Sequence, residues 1–221
     1  MTRRFVDTEE AVGALAAGRV VIVLDSADRE NEGDFLLAAE KATPEMVYFM
    51  LRPGCGQLCV PVAAEIAQRL DLAPMTADNT NPSATAFAVP VDHFSCHTGI
   101  SPEERVFTIQ ALLASSSRPD DFVRPGHVFP LIARVGGVLR RPGHTEAAVD
   151  LAKLAGLAPA GVLCEVCSRD GIHMATRDEL LEVAEELDLV VTTIDDLIRY
   201  RQSLLLEIPQ YPNVVAAGVV Y

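Results

Sequence analysis

Tryptophan is absent from this chain of 221 residues, and aromatic side chains make up only 5% of it. Hydrophobic residues still account for 49% of the sequence, so the core must consist mainly of Val, Leu, Ala and Ile. A disordered chain would contain far fewer apolar residues. The length and composition predict one sizeable core, or two small ones, in an α/β or α+β arrangement.

Positive charge is also scarce. Lys and Arg number 18 against 31 Asp and Glu, which gives a formal net charge of −13 at pH 7. Nucleic acids and anionic membrane surfaces repel so acidic a chain, so neither is expected as a partner. An anionic substrate would need a local basic or metal-bearing site, because the overall field opposes its approach.

Long apolar runs are missing as well. No run approaches the length of a membrane span, and residues 1–7 lack the hydrophobic stretch of a secretory signal. The five cysteines, an odd number, are most simply free thiols in a reducing compartment. The sequence therefore predicts a cytoplasmic protein that does not cross a membrane.

Helix and strand patterns alternate along the chain. Strands are predicted over residues 20–24, 35–39, 57–62, 85–91, 128–134, 161–167 and 190–193. Helices are predicted over residues 8–17, 44–52, 64–70, 145–155, 177–187 and 195–205, with a further helix beginning at the capping pattern of residues 101–104. Residues 73–83 are predicted to form a long polar loop.

The densest signal for chemistry lies in residues 25–34, which read Asp-Ser-Ala-Asp-Arg-Glu-Asn-Glu-Gly-Asp. Carboxylates this close repel one another unless they spread into water or a hard cation lies among them. Mg²⁺ takes one or two protein carboxylates and completes its shell with water and substrate oxygens. Arg29 adds a planar donor for a phosphate or carboxylate. A solvated acidic turn is the alternative interpretation.

A second signal lies in residues 136–148, where two arginines and a Pro-Gly turn lead into a predicted helix. The free N–H groups of a helix N-terminus, with Arg141 and the Thr145 hydroxyl, would suit a phosphate group. His144 could reach a metal ion held by the acidic segment. An ordinary capped helix with a surface histidine is the alternative.

Two further residues are candidates for proton transfer. His127 follows the Pro-Gly pair of residues 125–126, interpreted as a turn, and a histidine ordinarily titrates near neutral pH. Glu165 lies in a buried-looking strand, where a carboxylate is costly unless it is paired or functional. A hydrogen-bonded or ion-paired structural role is the alternative for both.

The cysteines give weaker signals. Cys164 and Cys167 are three residues apart in a predicted strand, where they would point to opposite faces, which argues against a redox pair. A zinc site could use a loosely spaced set: Cys55, Cys59, His93, Cys96 and His97. Unpaired structural thiols are favoured over zinc.

Five motifs occur in an order that resembles one known family. They are Arg-Glu-Asn-Glu-Gly-Asp at 29–34, Thr-Gly-Ile-Ser at 98–101, Arg-Pro-Gly-His at 124–127, Arg-Pro-Gly-His-Thr-Glu-Ala at 141–147 and Pro-Ala-Gly-Val-Leu-Cys-Glu at 159–165. Over about residues 8–202 the chain is similar to the 3,4-dihydroxy-2-butanone 4-phosphate synthases of riboflavin biosynthesis. The resemblance implies a Mg²⁺- or Mn²⁺-dependent lyase that converts D-ribulose 5-phosphate into L-3,4-dihydroxy-2-butanone 4-phosphate and formate.

The resemblance also implies a fold and a set of site residues. The fold is α+β, a mixed β-sheet with helices packed around it in three layers, forming a single domain over residues 1–205 with a C-terminal tail over residues 206–221. Glu30 and His144 are then the metal ligands, and His127 and Glu165 the catalytic residues. The substrate-binding set is Arg29, Glu30, Asp34, Thr98, Arg141, Gly143, His144, Thr145 and Glu165. Family members form homodimers with shared sites, so Thr98 and His127 of the partner subunit would complete each site.

The chain departs from the family pattern at Ser26, Ala27, Ser168, Arg169 and residues 93–97. None of these departures changes an expected metal or substrate ligand. Some members are fused to GTP cyclohydrolase II, whose zinc-binding cysteines do not occur in these residues. The chain is therefore expected to be monofunctional or a synthase domain. Two other functions stay open, namely a different metal-dependent sugar-phosphate isomerase or aldolase, and a non-catalytic relative.

Overall fold

The computed structural model describes residues 5–207, which contain a seven-stranded mixed sheet. The strands are β1 (Val21–Leu24), β2 (Gly33–Ala38), β3 (Cys59–Val62), β4 (Val91–His93), β5 (Phe122–Ile132), β6 (Gly161–Glu165) and β7 (Val191–Thr193). Their order across the sheet is β4-β5-β3-β6-β2-β1-β7. β3 pairs with β5, and β1 with β7, in parallel, whereas the other neighbours are antiparallel.

Helices cover both faces of this sheet. They are α1 (Thr8–Ala16), α2 (Pro44–Gly54), α3 (Ala64–Arg69), α4 (Pro102–Leu113), α5 (His144–Leu154), α6 (Arg177–Glu186) and α7 (Ile194–Glu207). One core cluster joins the sheet to α2, α4 and α6, and a second joins it to α1, α5 and α7. The prediction of an α+β fold with a mixed sheet inside helical layers is confirmed.

Alternating side chains of the central strands supply these two clusters. Ile22 and Phe35 belong to the first cluster, and Val21 and Leu36 belong to the second. Successive residues of a strand point to opposite faces, so strands covered on both sides must be apolar throughout. Burying each large aliphatic or aromatic side chain contributes about 1.5–3 kcal/mol. The acidic segment and α5 are thus attached to a rigid, fully covered sheet.

Helix α5 is the most deeply buried helix of the described chain. All its residues from His144 to Ala152 are buried, including Glu146 and Asp150. Each buried carboxylate has a partner, Arg141 for Glu146 and Arg201 for Asp150. Buried charges are tolerated only when they are paired and hydrogen-bonded in this way. The helix therefore presents its N-terminus to the sheet in a fixed position.

Two predicted strands differ from the observed ones. Residues 85–91 do not form a continuous strand; Phe87 and Ala88 make isolated bridges to Leu131 and Pro74, and β4 begins only at Val91. The segment is bonded on two sides, to β5 through Ala86 and Ala88 and to residues 73–75 through Phe87 and Val89, but only as isolated bridges. For the other predicted helices and strands, each predicted first or last residue lies within two residues of the observed one.

Strand β5 begins at Phe122 instead of residue 128, so the Pro-Gly pair of residues 125–126 lies inside a strand and the predicted turn is wrong. Pairing with β4 shifts register between the pairs Val91–Val128 and Asp92–Val123, which makes residues 124–127 a bulge. Proline lacks an N–H and is tolerated within sheets at such bulges. The bulge brings His127 to the end of the sheet.

In the part of the chain that the structure describes, no helix has the length and apolar character needed to cross a membrane. Helix α7 continues to Glu207, two residues into the predicted C-terminal tail. The remainder of that tail, residues 208–221, lies outside the described residues, so the domain boundary at residue 205 stays a prediction.

Candidate active site

A cavity of about 180 Å³ opens at the end of the sheet where β2 begins and β6 ends. Six of the predicted site residues line it together: Arg29, Glu30, Asp34, His144, Thr145 and Glu165. Asp34 and Glu165 are direct cross-strand partners in the antiparallel β2–β6 pair, so their side chains share one face. The fold therefore assembles residues that are far apart in the sequence into one acidic pocket.

Three neighbouring ligand atoms, two of them from residues that line this pocket, could hold a metal ion. Asp25, Glu30 and His144 each offer one, and these atoms lie within 4.8 Å of one another. Nε2 of His144 lies 3.0 Å from the carbonyl oxygen of Val23, so it donates its proton there and leaves the lone pair on Nδ1. Burial lowers the pKa of His144, which favours the neutral imidazole that a metal requires. Asp25 is a candidate that the predicted pair of ligands did not include.

Asp25 also folds the acidic segment. Its Oδ1 accepts the amide of Glu32 at 2.9 Å, and its Oδ2 accepts the amide of Glu30 at 3.2 Å. Nη1 of Arg29 donates to Oδ2 of Asp25 at 2.8 Å and also contacts the Glu30 carboxylate. Asn31 adopts a left-handed conformation with φ of 56°, which asparagine tolerates well. Like-charge repulsion is therefore offset by amides and by Arg29 even before any cation binds.

Two other carboxyl groups of the pocket, those of Asp34 and Glu32, have raised pKa values. Burial, and then the charge of Glu165, raise the pKa of Asp34 well above its ordinary value. Oδ1 of Asp34 has no hydrogen-bond partner among the described residues, and Oδ2 lies 3.8 Å from Nδ1 of His144. Burial, with Glu30 next, also raises the pKa of Glu32, which lines the cavity but was not among the predicted site residues. Such crowding favours a bound proton or cation.

At the other side of His144, α5 offers its N-terminus. Gly143 is the N-cap, and within the described residues no side chain caps the helix. A Cβ atom on Gly143 would clash with Nη1 of Arg141 and lie 3.1 Å from Nη2 of Arg29. Two guanidinium groups therefore flank free helix amides, an arrangement suited to a phosphate. Arg141 itself does not line the cavity, because it donates to Glu146, Ser83 and Thr85.

Thr98 and His127 lie apart from this cavity, near the β4–β5 edge. The amide and Nδ1 of His127 donate to the two carboxylate oxygens of Asp92, at 2.9 and 2.7 Å. The Thr98 hydroxyl donates to Glu104 at 3.1 Å. Gly99 packs directly on Asp92, where a Cβ atom would clash with the carboxylate. Thr98 and His127 thus belong to one preorganised group. Their supports, Glu104 and Asp92, were not among the predicted site residues.

His127 nevertheless faces the same end of the sheet as Glu165. Phe129 of β5 pairs with Cys59 of β3, which pairs with Leu163 of β6. His127 lies two residues before Phe129 on β5, and Glu165 lies two residues after Leu163 on β6. Because β5 and β6 run in opposite directions, this register places His127 level with Glu165. Two strand spacings separate them by about 10 Å. No local sequence signal identifies the support of His127, because Asp92 lies 35 residues away and reaches it only through the pairing of β4 with β5.

The cysteines do not form a metal site. Within residues 5–204, the group around His144 is the one cluster of three or more potential ligands, so the loosely spaced zinc set is not assembled. All five cysteines lie in the described residues and are free thiols. Cys59 lines the cavity, and burial raises the pKa of its thiol strongly. Burial also raises the pKa of Cys164 to about 12, so neither is a ready nucleophile.

Comparisons with known proteins identify the family of the chain. The family model for 3,4-dihydroxy-2-butanone 4-phosphate synthase matches residues 9–200. The riboflavin biosynthesis protein RibBA of Bacillus subtilis (strain 168) is 57% identical over 196 residues, which are 89% of this chain and 49% of that protein. RibBA of Bacillus mycoides (strain KBAB4) is 56% identical over 194 residues, 88% of this chain and 49% of that protein. The chain thus spans about half the length of these curated relatives.

Solved structures show the same similarity. A crystal structure of 3,4-dihydroxy-2-butanone 4-phosphate synthase in complex with two magnesium ions has a TM-score of 0.86 and 39% identity, covering 90% of this chain and 98% of that one. RibBX of A. baumannii, a two-domain synthase, has a TM-score of 0.85 and 44% identity, covering 89% of this chain and 58% of that one. On the match over residues 9–200 and these identities, the chain belongs to the 3,4-dihydroxy-2-butanone 4-phosphate synthase family.

Proposed function

We propose that this chain converts D-ribulose 5-phosphate into L-3,4-dihydroxy-2-butanone 4-phosphate and formate, a step of riboflavin biosynthesis that takes place in the cytoplasm. One observation carries the proposal. One cavity brings together two members of the three-ligand group, Glu30 and His144, the two cross-strand carboxylates, and Thr145 of the helix N-terminus that two guanidinium groups flank. Its acidic part suits a divalent cation with polyol oxygens, and its helix end suits a phosphate, which are the two ends of a sugar phosphate.

The phosphate would lie at the N-terminus of α5. Thr145 lines the cavity there, and the first amides of α5 have no partner within the helix and no side-chain cap. Arg29 and Arg141 both approach Gly143. Since the chain carries a formal charge of −13, a dianionic group must be held by local donors of this kind.

The cation would be Mg²⁺ or Mn²⁺, held by Glu30 and His144 with Asp25 beside them. The hard oxygen ligands and the neutral Nδ1 of His144 fit such an ion. When bound, the ion acts as a Lewis acid that stabilises negative charge on the substrate oxygens. The family resemblance, in which one solved member is a complex with two magnesium ions, supports this assignment.

Proton transfer would fall to Glu165, Asp34 and His127. Glu165 accepts the amide of Gln57 at 2.8 Å through Oε2, which leaves Oε1 for the substrate. Asp92 accepts from Nδ1 of His127, which leaves Nε2 as the ring nitrogen available for proton transfer with the substrate. The family reaction, which comprises enolisation, loss of water, a carbon-skeleton shift and release of formate, needs several such transfers.

A second copy of the chain would supply Thr98 and His127. Neither residue lines the cavity of its own subunit, although both are held rigidly at the neighbouring edge of the sheet. Large apolar side chains are exposed around this edge: Phe94, Ile100, Phe107 and Val123. Several exposed apolar side chains near one edge of a sheet would suit a protein–protein interface. The proposal is a homodimer in which each site uses both chains.

Mixing two inactive proteins tests the shared site. His127→Ser and Glu30→Gln should each abolish formate release, because one removes the base and the other a metal ligand. Mixed dimers contain one intact composite site, so activity should return in part after subunit exchange. Absence of recovery, when exchange is demonstrated with labelled subunits, would contradict sharing.

Formate release from D-ribulose 5-phosphate tests the reaction itself. The parent protein should release formate with Mg²⁺, and Glu30→Gln should not, while its fold stays intact. Glu182→Gln is the matched control, since Glu182 is exposed on α6 and contacts only Arg169 among the ion pairs of the described residues. Consumption of substrate without formate would indicate a different sugar-phosphate isomerase or aldolase, and neither consumption nor formate would indicate a non-catalytic relative.

A further inference from the structure

Residues 79–87, here called the wall segment, form one side of the cavity. Asn81, Thr85 and Phe87 line it, although no sequence motif pointed to them. The segment is held by its own polar groups: Nδ2 of Asn79 donates to the Thr85 carbonyl at 3.0 Å, and the amide of Asn81 donates to Oδ1 of Asn79 at 3.0 Å. An internally hydrogen-bonded loop of this kind can present side chains in fixed positions.

Arg141 joins the wall segment to α5. Its Nε and Nη2 donate to the carbonyl of Ser83 at 3.1 and 2.7 Å, and Nη2 also donates to Oγ1 of Thr85 at 2.9 Å. Nη1 donates to Glu146 at 2.6 Å. A guanidinium has five N–H protons, so these four bonds leave a single one for a ligand. Most of the hydrogen-bonding capacity of Arg141 is therefore spent on the protein.

The hydroxyl group of Thr85 retains a proton that it can donate to a ligand. Its hydroxyl oxygen accepts from Arg141, and its own proton finds no acceptor among the described residues. The side-chain amide of Asn81 is likewise without a hydrogen-bond partner among them. Both residues line the cavity, and the guanidinium that contacts Thr85 also approaches Gly143 at the start of α5. Two neutral donors thus lie beside the helix end suited to an anion.

We propose that Thr85 and Asn81 donate hydrogen bonds to the substrate phosphate, and that Arg141 is chiefly a positioning residue that holds Thr85 in place. The assignment rests on the proposed function for the identity of the phosphate ester, but the anion site can be tested without the reaction. A phosphate has more acceptor positions than Arg29, Thr145 and the α5 amides fill, because each oxygen accepts more than one bond. Neutral donors on the wall segment would supply the remainder.

Titration with inorganic phosphate, followed calorimetrically, tests the site directly. Thr85→Val keeps the shape and removes the donor, so phosphate affinity should fall about three- to tenfold, the effect of one neutral hydrogen bond. Thr85→Ser should retain the affinity because it keeps the hydroxyl. Ser83→Ala is the matched control: Ser83 contributes only its backbone carbonyl to Arg141, so its affinity should equal that of the parent.

Arg141→Lys separates positioning from direct binding. A lysine cannot reproduce the bonds to Ser83 and Thr85, so phosphate affinity should fall in the parent background. In the Thr85→Val background the same change should have a smaller effect, because the group it positions is already gone. With D-ribulose 5-phosphate, Thr85→Val should raise KM and leave kcat nearly unchanged.

The inference would be overturned if folded Thr85→Val bound phosphate as tightly as Thr85→Ser and the parent protein. It would also be overturned if Arg141→Lys lowered the phosphate affinity equally in the parent and Thr85→Val backgrounds. A parent that binds phosphate in this Thr85-dependent way but releases no formate would support the anion site while refuting the proposed reaction. The two proposals can therefore fail separately.

Discussion

Replacing Glu146 by alanine should destabilise the protein strongly, because this buried carboxylate joins two parts of the candidate site. Its side chain is 1% exposed. Oε2 accepts from Nη1 of Arg141 at 2.6 Å, and Oε1 accepts the amide of Arg134 at 2.9 Å. Glu146 thereby fixes the guanidinium that in turn holds the wall segment.

The magnitude follows from the groups that would lose their partner. Removing one member of a buried ion pair costs about 3–5 kcal/mol, since the other charge stays buried without compensation. The Arg134 amide would also lose its acceptor, at a further cost of about 1–3 kcal/mol if water cannot replace it. Glu146→Ala should therefore lower the free energy of unfolding by about 4 kcal/mol or more, a large part of a typical 5–15 kcal/mol.

Glu146→Gln keeps the shape and one acceptor oxygen, so it should lose only about 1–3 kcal/mol. Urea denaturation of the parent and both variants, followed by circular dichroism, measures the difference. Glu182→Ala is the control, because its side chain is exposed and its ion pair with Arg169 at 3.6 Å should contribute little. If Glu146→Ala unfolds at the same urea concentration as the parent, the buried pair does not stabilise the fold and the reasoning is refuted.

Three further predictions concern the site. In steady-state kinetics, Asp92→Asn should lower kcat and leave KM nearly unchanged, and His127→Ser should lower kcat about 10²–10⁴-fold. Variant kcat values equal to that of the parent would contradict a role of His127 in proton transfer. Burial raises the pKa of Cys164 to about 12, so its native thiol should stay protonated and unreactive from pH 7 to 9, whereas exposed Cys55 should react; peptide mapping after alkylation distinguishes them. Gly143→Ala places a methyl group against Arg141 and should raise KM for D-ribulose 5-phosphate about tenfold or more; an unchanged KM would move the phosphate elsewhere.

Much of the fold could be predicted from local patterns. The strands around Ile22 and Phe35 are apolar on both faces, and the helices begin at recognisable caps such as Ser101 and Thr176. The exceptions have local causes. Pro125 and its following glycine give a strong turn signal, yet the sheet accommodates them as a bulge in β5, which only the register of the neighbouring strand reveals.

The site could be predicted only in part. The acidic segment and α5 were recognisable, but the sequence could not choose Asp25 as a third potential ligand, because that choice depends on how the segment folds around its own amides. The support of His127 by Asp92 is a contact across 35 residues, and the bond from Arg141 to Thr85 spans 56. Such long-range pairs follow from strand order and loop placement, which no local pattern encodes.

The acidic pocket is proposed to carry out a metal-dependent release of one carbon from a sugar phosphate. The most direct measurement is the yield of formate from D-ribulose 5-phosphate by protein stripped with EDTA and then resupplied with Mg²⁺ or Mn²⁺. One formate for each substrate consumed, dependent on added metal and lost in Glu30→Gln, is the predicted result. Full formate release by stripped protein, or substrate consumed without formate in the presence of metal, would contradict a metal-dependent release of formate.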